Sequence, residues 1–154
     1  MAQRFRVEIE GDEELIQKLN KMSKGFRSKA LLHAVTQGGR IVEREAKARA
    51  PVRKTGRGGR LRDSITTVKL KETNKLAKVG VSWRKGKASR TAAFYGIMVE
   101  KGTKPRSRKD GATTGTMPSR SFLIPAYHSK RDQVSRQIKV ELSRLIRKAA
   151  KKGM

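Results

Sequence analysis

The sequence predicts an α+β fold: a small antiparallel sheet packed against a long central helix, with a short N-terminal helix and a long amphipathic C-terminal helix. Three observations carry that prediction. Apolar residues recur at three- and four-residue steps from Leu31 to Ala46 and again from Val134 to Ile146, the spacing that gathers one face of an α-helix. Between these stretches Thr66, Val68 and Leu70, then Val79, Val81 and Trp83, alternate with other residues around Thr73-Asn74-Lys75, as in an antiparallel hairpin. The length of 154 residues fits one domain over 1–154, and no internal repeat or linker signal divides it.

Each element has its own justification. Phe5, Val7 and Ile9 alternate with Arg6, Glu8 and Glu10, the period of a half-buried strand, which Gly11 ends. Asp12 then caps a short helix whose first turn carries Glu13 and Glu14, well placed against the helix dipole. Leu15, Ile16, Leu19 and Met22 form its apolar stripe, and Gly25 closes it. The central helix runs from about Ser28 to Ala50, with Leu31, Ala34, Val35, Gly38, Ile41, Val42 and Ala46 on one face. Gly38-Gly39 weakens it by about 1 kcal/mol per glycine relative to alanine, which points to close packing or a kink. Pro51 stops the helix, and residues 51–62 form a basic, Gly-rich loop. In the hairpin, Gly80 suggests close approach by another backbone.

Residues 84–90 are a second basic stretch, followed by the apolar run from Ala92 to Glu100. That run is a short buried helix or a strand, and periodicity does not choose between them. Gly102 terminates it. Residues 104–117 are polar and rich in Gly, Ser and Thr, predicting a mobile loop. Phe122 to Pro125 lead into the last helix, through Val134, Ile138, Leu142, Leu145 and Ile146, and its basic tail at 147–154 complements the helix dipole.

Composition bounds the partners more than the fold. Hydrophobic residues make up 35% and aromatics 5%, so the core is thin and aliphatic. Against 13 Asp+Glu stand 39 Lys+Arg, for a formal charge of +26. Such a surface attracts nucleic acid, anionic lipid or an acidic protein face. With no cysteine, disulfides and thiolate metal sites are excluded. No stretch reads as a signal peptide or membrane span, so a soluble protein without membrane partners is expected.

A search for chemistry leaves the enzyme classes empty. Glu43 and Glu45 diverge by about 200° on a helix, and His33 and His128 have no ligand-like spacing. The segment from Thr55 to Gly59 lacks the Gly-Lys-Ser/Thr order of a phosphate loop and leaves a helix instead of opening one. No catalytic residue, cofactor or metal site is assigned. Basic clusters offer another class: Arg53-Lys54, Arg57, Arg60-Arg62, Arg84 to Arg90, and Lys104-Arg106-Arg108-Lys109 either neutralise phosphates, with steep salt dependence and no sequence preference, or are solvated loops.

Three stretches, in order, resemble one family. The first is Glu45-Ala46-Lys47-Ala48-Arg49-Ala50-Pro51-Val52, then Thr55-Gly56, Leu61-Arg62 and Asp63-Ser64-Ile65. The second runs from Ala93 through Tyr95 and Val99-Glu100 to Gly102-Thr103, and the third is Pro118-Ser119-Arg120-Ser121-Phe122-Leu123-Ile124-Pro125-Ala126. Together they resemble the neck, or tail-completion, family of long-tailed double-stranded DNA phages, typified by gene product ten of a lambda-like coliphage. Two departures stand out: the insertion Arg57-Gly58-Gly59-Arg60, and Ser121 before Phe122 where the family more often has proline. The resemblance implies structural roles for Pro51, Thr55, Gly56, Leu61, Arg62, Ser64, Tyr95, Glu100, Gly102, Thr103, Phe122, Pro125 and Ala126.

The same resemblance implies a non-enzymatic virion protein, assembled in the host cytoplasm. It further implies a homo-oligomeric, hexameric ring that meets head-closure or connector, tail-terminator and tail-tube proteins; non-specific contact with packaged DNA is left open. Arg57, Arg60, Lys104, Arg106, Arg108 and Lys109 are the candidate partner contacts. The alternatives are a sequence-independent nucleic-acid-binding protein and the virion-morphogenesis group of contractile-tailed phages.

Overall fold

Ala30, Ala34, Gly38, Val42 and Ala46 lie four residues apart, and all five are buried on one side of a 26-residue helix. Val134, Ile138, Leu142 and Ile146 repeat the same step and are buried on another helix. The two rows meet, a ridge of large side chains on one helix entering a furrow of small ones on the other. A Cβ on Gly38 would stand 2.9 Å from Ile138 Cγ1 and 3.1 Å from Val134 Cγ1. The glycine is therefore what lets the helices approach.

The computed structural model describes residues 13–52, 59–83, 90–105, 107, 109, 111–113 and 115–151, with the backbone alone for 90–94. In chain order these form α1 (Glu13–Asn20), α2 (Lys24–Arg49), α3 (Arg60–Ser64), β1 (Ile65–Glu72), β2 (Ala77–Trp83), α4 (Arg90–Lys101) and α5 (Leu123–Ala150). The α+β prediction holds, with α2 sandwiched between α5 on one side and the hairpin on the other. The strand expected at Phe5 to Ile9, with its Gly11 and Asp12 boundaries, lies outside the described residues.

Helix α1 ends earlier than expected. Ser23 caps α2, its Oγ accepting from Phe26 N–H at 3.3 Å, and Arg27 Nη2 donates to Asn20 O at 2.8 Å. A serine cap that early pulls Gly25 into the first turn of α2, so Gly25 does not close α1 and α2 starts ahead of Ser28. Leu19 is buried, with Leu15 and Met22 packed against the core. Ile16 stays 49% exposed, because the short helix presents too narrow a face to the core to cover it. At the other end of α2, Ala50 is extended at φ −61° and ψ 129°, the conformation that a following proline imposes.

Gly39 faces the hairpin. A Cβ there would lie 2.7 Å from Thr67 Cγ2 and 3.2 Å from Val79 Cγ2. Strands β1 and β2 pair antiparallel from Ile65↔Trp83 to Glu72↔Ala77, with an irregularity between Lys69 and Lys71. This register puts Thr67 and Val81 on the α2 side. Thr66, Val68 and Leu70 fall on the opposite side with Gly80 and Ser82, and Leu70 is 43% exposed. The two alternating sets thus lie on opposite faces of the hairpin, a distinction that alternation within one strand does not carry. Gly80 is not approached by another backbone: a Cβ there would meet the Leu70 side chain at 3.2 Å, the leucine folding across the sheet over the gap.

Two elements settle open or unexpected points. The run after Arg90 is a helix, and Gly96 within it lies against the indole of Trp83, where a Cβ would come within 2.9 Å of the ring. The five-residue helix α3 was not anticipated; Gly59, at φ +89°, opens it and Leu61 buries itself. Trp83 also meets Phe122 with ring centroids 6.4 Å apart. Phe122, Ile65 and Leu123 are the largest fully buried side chains.

Candidate functional site

Where α4 ends, Glu100 is only 4% exposed. Its carboxylate accepts from Ser121 Oγ at 2.5 Å, Phe122 N–H at 2.9 Å, Leu123 N–H at 3.1 Å and Ile124 N–H at 3.4 Å. The three N–H groups are the first amides of α5, whose own N-cap residue, Phe122, supplies no side-chain cap. A glutamate from a different helix therefore caps α5. The positive end of the α5 dipole and four donors offset the burial of a carboxylate with no cation beside it among the described residues.

The backbone around this cap is stitched on both sides. Arg120 N–H donates to Val99 O at 2.7 Å, and Ser119 Oγ donates to Glu100 O at 2.6 Å. Gly102 takes φ +74°, a conformation glycine adopts freely. A Cβ there would collide with the backbone, 2.8 Å from Met117 O and 2.9 Å from Ser119 N. Thr103 N–H donates to Met117 O at 2.9 Å, and Met117 N–H to Thr103 Oγ1 at 2.9 Å. These two bonds form a clasp that closes the base of the loop between them.

The loop runs on from that clasp. Lys104 and Lys109 are exposed, whereas Arg106 and Arg108 lie outside the described residues. A bridge between Ser107 and Thr113 folds the loop back on itself, and Gly111 and Gly115 both take positive φ. The other basic candidates are split. Arg60 is exposed at the start of α3, while Arg57, with Thr55 and Gly56, is outside the described residues.

The other described motif residues lie on α3, α4 and α5 and just after α2. Leu61 is buried against the Gly96 turn of α4, Ser64 Oγ donates to Leu61 O at 2.7 Å, and Arg62 Nε donates to Asp63 at 2.9 Å. Ala126 is fully buried and Pro125 sits half-buried in the first turn of α5. Pro51, also half-buried, follows α2. Tyr95 is the exception to the inward trend, 52% exposed on the outer side of α4.

One working carboxylate escaped the sequence reading. Glu43, set aside as half of a failed pair with Glu45, instead accepts from Thr67 N–H at 2.8 Å and Thr67 Oγ1 at 2.9 Å, fastening β1 to α2. Lys47 donates to its other oxygen at 2.7 Å. Burial pulls its pKa up, but the hydrogen bonds from Lys47 and Thr67 outweigh that and hold it below its ordinary 4.5. Its place four residues beyond Gly39, on the hairpin side of α2, was the available signal. The histidines stand apart: His33 Nε2 is 3.7 Å from Glu141, and His128 lies edge-on to Tyr127.

Among the described residues no three His, Cys, Asp or Glu side chains gather into a metal-binding group, and no helix is long and apolar enough to cross a membrane. The family model described as "Bacteriophage HK97-gp10, putative tail-component" matches residues 13–102, more than half of the chain. The chain belongs to this phage tail-component family. Neither the curated proteins nor the solved structures yielded a match.

For a member of the HK97-gp10 tail-component family, the geometry around Glu100 acquires a second meaning. The matched span runs from the start of α1 to Gly102 and stops there. Glu100, inside it, holds the N-terminus of α5, which lies beyond it. The family portion thus anchors the last helix. Membership makes the chain a structural component of the phage tail, belonging to the virion.

Proposed function

We propose that this tail component completes the tail at the phage neck and joins it to the head connector, as a non-enzymatic subunit of a hexameric ring. The observation that carries the reading is the basic loop closed at its base by the Thr103–Met117 clasp, in a chain of the phage tail-component family. Contacts between identical subunits close into a ring when the rotation per subunit fits. Head-closure or connector, tail-terminator and tail-tube proteins are the neighbours on either side. The loop cations Lys104, Arg106, Arg108 and Lys109, with Arg57 and Arg60, dock onto acidic faces of those neighbours. Electrostatic complementarity of this kind sets register and encounter rate more than raw affinity.

Complementation tests the reading. Charge reversal of Lys104, Arg106, Arg108 and Lys109 is expected to lower titre and to leave filled heads and separate tails in electron micrographs. Wild-type titre from that variant would overturn the docking role of the loop. Normal joined particles from a phage lacking the gene altogether would overturn the neck assignment.

A further inference from the structure

Helix α5 uses one side for the fold and leaves the other to solvent. Val134, Ile138, Leu142 and Ile146 face α2, while Arg136, Val140, Arg144, Arg147, Lys148 and Lys151 are exposed. At 100° per residue, five of those six cluster around the side opposite the core row. Val140 is 59% exposed among them, and a shallow open trough runs along this half of the helix past Ser143.

The charge on this face is one-sided. From 136 to 151 the only acidic side chain is Glu141. It is 15% exposed and already accepts from Arg144 at 2.8 Å. Among the described residues no carboxylate pairs with Arg136, Arg147, Lys148 or Lys151. Complementing the helix dipole does not account for them all, since that effect fades within the last turn, and Arg136 lies about four turns before the end. From Arg136 to Lys151 the row spans about 22 Å along the helix.

We infer that the outward face of α5 binds the phosphate backbone of duplex DNA without reading its sequence. A duplex carries one charge per about 1.7 Å of axis with both strands counted, so a length of about 22 Å holds about 13 phosphates, of which only those on the facing side meet the row. The face has the cations to neutralise several of them, and Ser143 adds a hydroxyl donor. It has no aromatic side chain, so it offers no stacking platform for single-stranded bases. An acidic protein partner fits less well. Protein interfaces are depleted in lysine and centre on aromatic or large apolar anchors, and here the only apolar side chain at the centre is Val140.

The test uses the full chain and a fluorescein-labelled duplex of random sequence, read by anisotropy across a salt series. Two variants of equal net charge are compared. One neutralises the helix face (Arg147→Gln, Lys148→Gln, Lys151→Gln); the other neutralises the exposed hairpin lysines (Lys71→Gln, Lys75→Gln, Lys78→Gln). All six positions are exposed, and circular dichroism checks that both variants keep the fold. Wild type is expected to bind at about 1–100 µM with steep salt dependence. The helix-face variant should lose about 2–3 from the slope of log K against log salt, and the hairpin variant little. Equal losses in the two variants would overturn the proposal, leaving only diffuse attraction to the net charge. So would absence of duplex binding, or a helix-face variant that loses poly-glutamate binding while keeping DNA.

Discussion

A carboxylate that is 4% exposed and holds the first amides of α5 concentrates much of the fold's stability in one side chain. Without it the N–H groups of Phe122 and Leu123 are buried with no acceptor, at about 1–3 kcal/mol each. Glu100→Ala is therefore expected to lower the unfolding free energy by about 3 kcal/mol in urea titration. Glu100→Gln, which keeps an acceptor but no charge, should fall between. A loss below half a kcal/mol for the alanine variant would remove Glu100 as the cap. Its importance was legible only as a family motif letter: a glutamate near the end of an apolar run gives no hint which distant amides it meets. Glu43 was hidden for the same reason, since its partner Thr67 is 24 residues away in the chain.

At the level of elements, α2 is fitted on two sides by adjacent glycines, and the neighbour at Gly39 is both closer and held by a hydrogen bond. Alanine would raise helix propensity at either site by about 1 kcal/mol. At Gly38 a Cβ meets Ile138 Cγ1 at 2.9 Å and Val134 Cγ1 at 3.1 Å; at Gly39 it meets Thr67 Cγ2 at 2.7 Å, on a side chain whose hydroxyl is also tied to Glu43. Gly39→Ala should consequently be the more destabilising, by about 1 kcal/mol over Gly38→Ala, as thermal melts of the pair would read. The reverse order would mean that the hairpin sits more loosely on α2 than these distances say. Long periodic elements were readable from the residues themselves: α2, α5 and the hairpin each show their period over many positions. Short elements were not. Helix α3 has five residues and sits beside a Gly-rich basic stretch that dominates any local reading. For α4 the deciding contact, Gly96 against Trp83, joins residues from different elements. Gly25 misled because a glycine after an apolar stripe usually ends a helix, whereas here Ser23 had already begun the next one.

For the molecule as a whole, +26 charges on 154 residues imply self-repulsion in the folded state. The exposed ion pairs, such as Arg49 with Glu45 and Arg144 with Glu141, offset little of it. Raising sodium chloride from 0.05 to 0.5 M shortens the Debye length from about 14 to about 4 Å, so Tm is expected to rise by several degrees in scanning fluorimetry. A flat or falling Tm would mean that attraction, not repulsion, dominates the surface. The clasp at Thr103 and Met117 has a separate consequence. Its two ends lie 14 residues apart and are pinned to each other independently of what runs between them. Doubling the length of such a loop costs only about 0.6 kcal/mol in closure entropy. Length and sequence beyond the clasp are therefore nearly free to drift while the scaffold stays put, which makes the loop an exchangeable adaptor: a lineage can refit it to a new neighbour without redesigning the body that carries it.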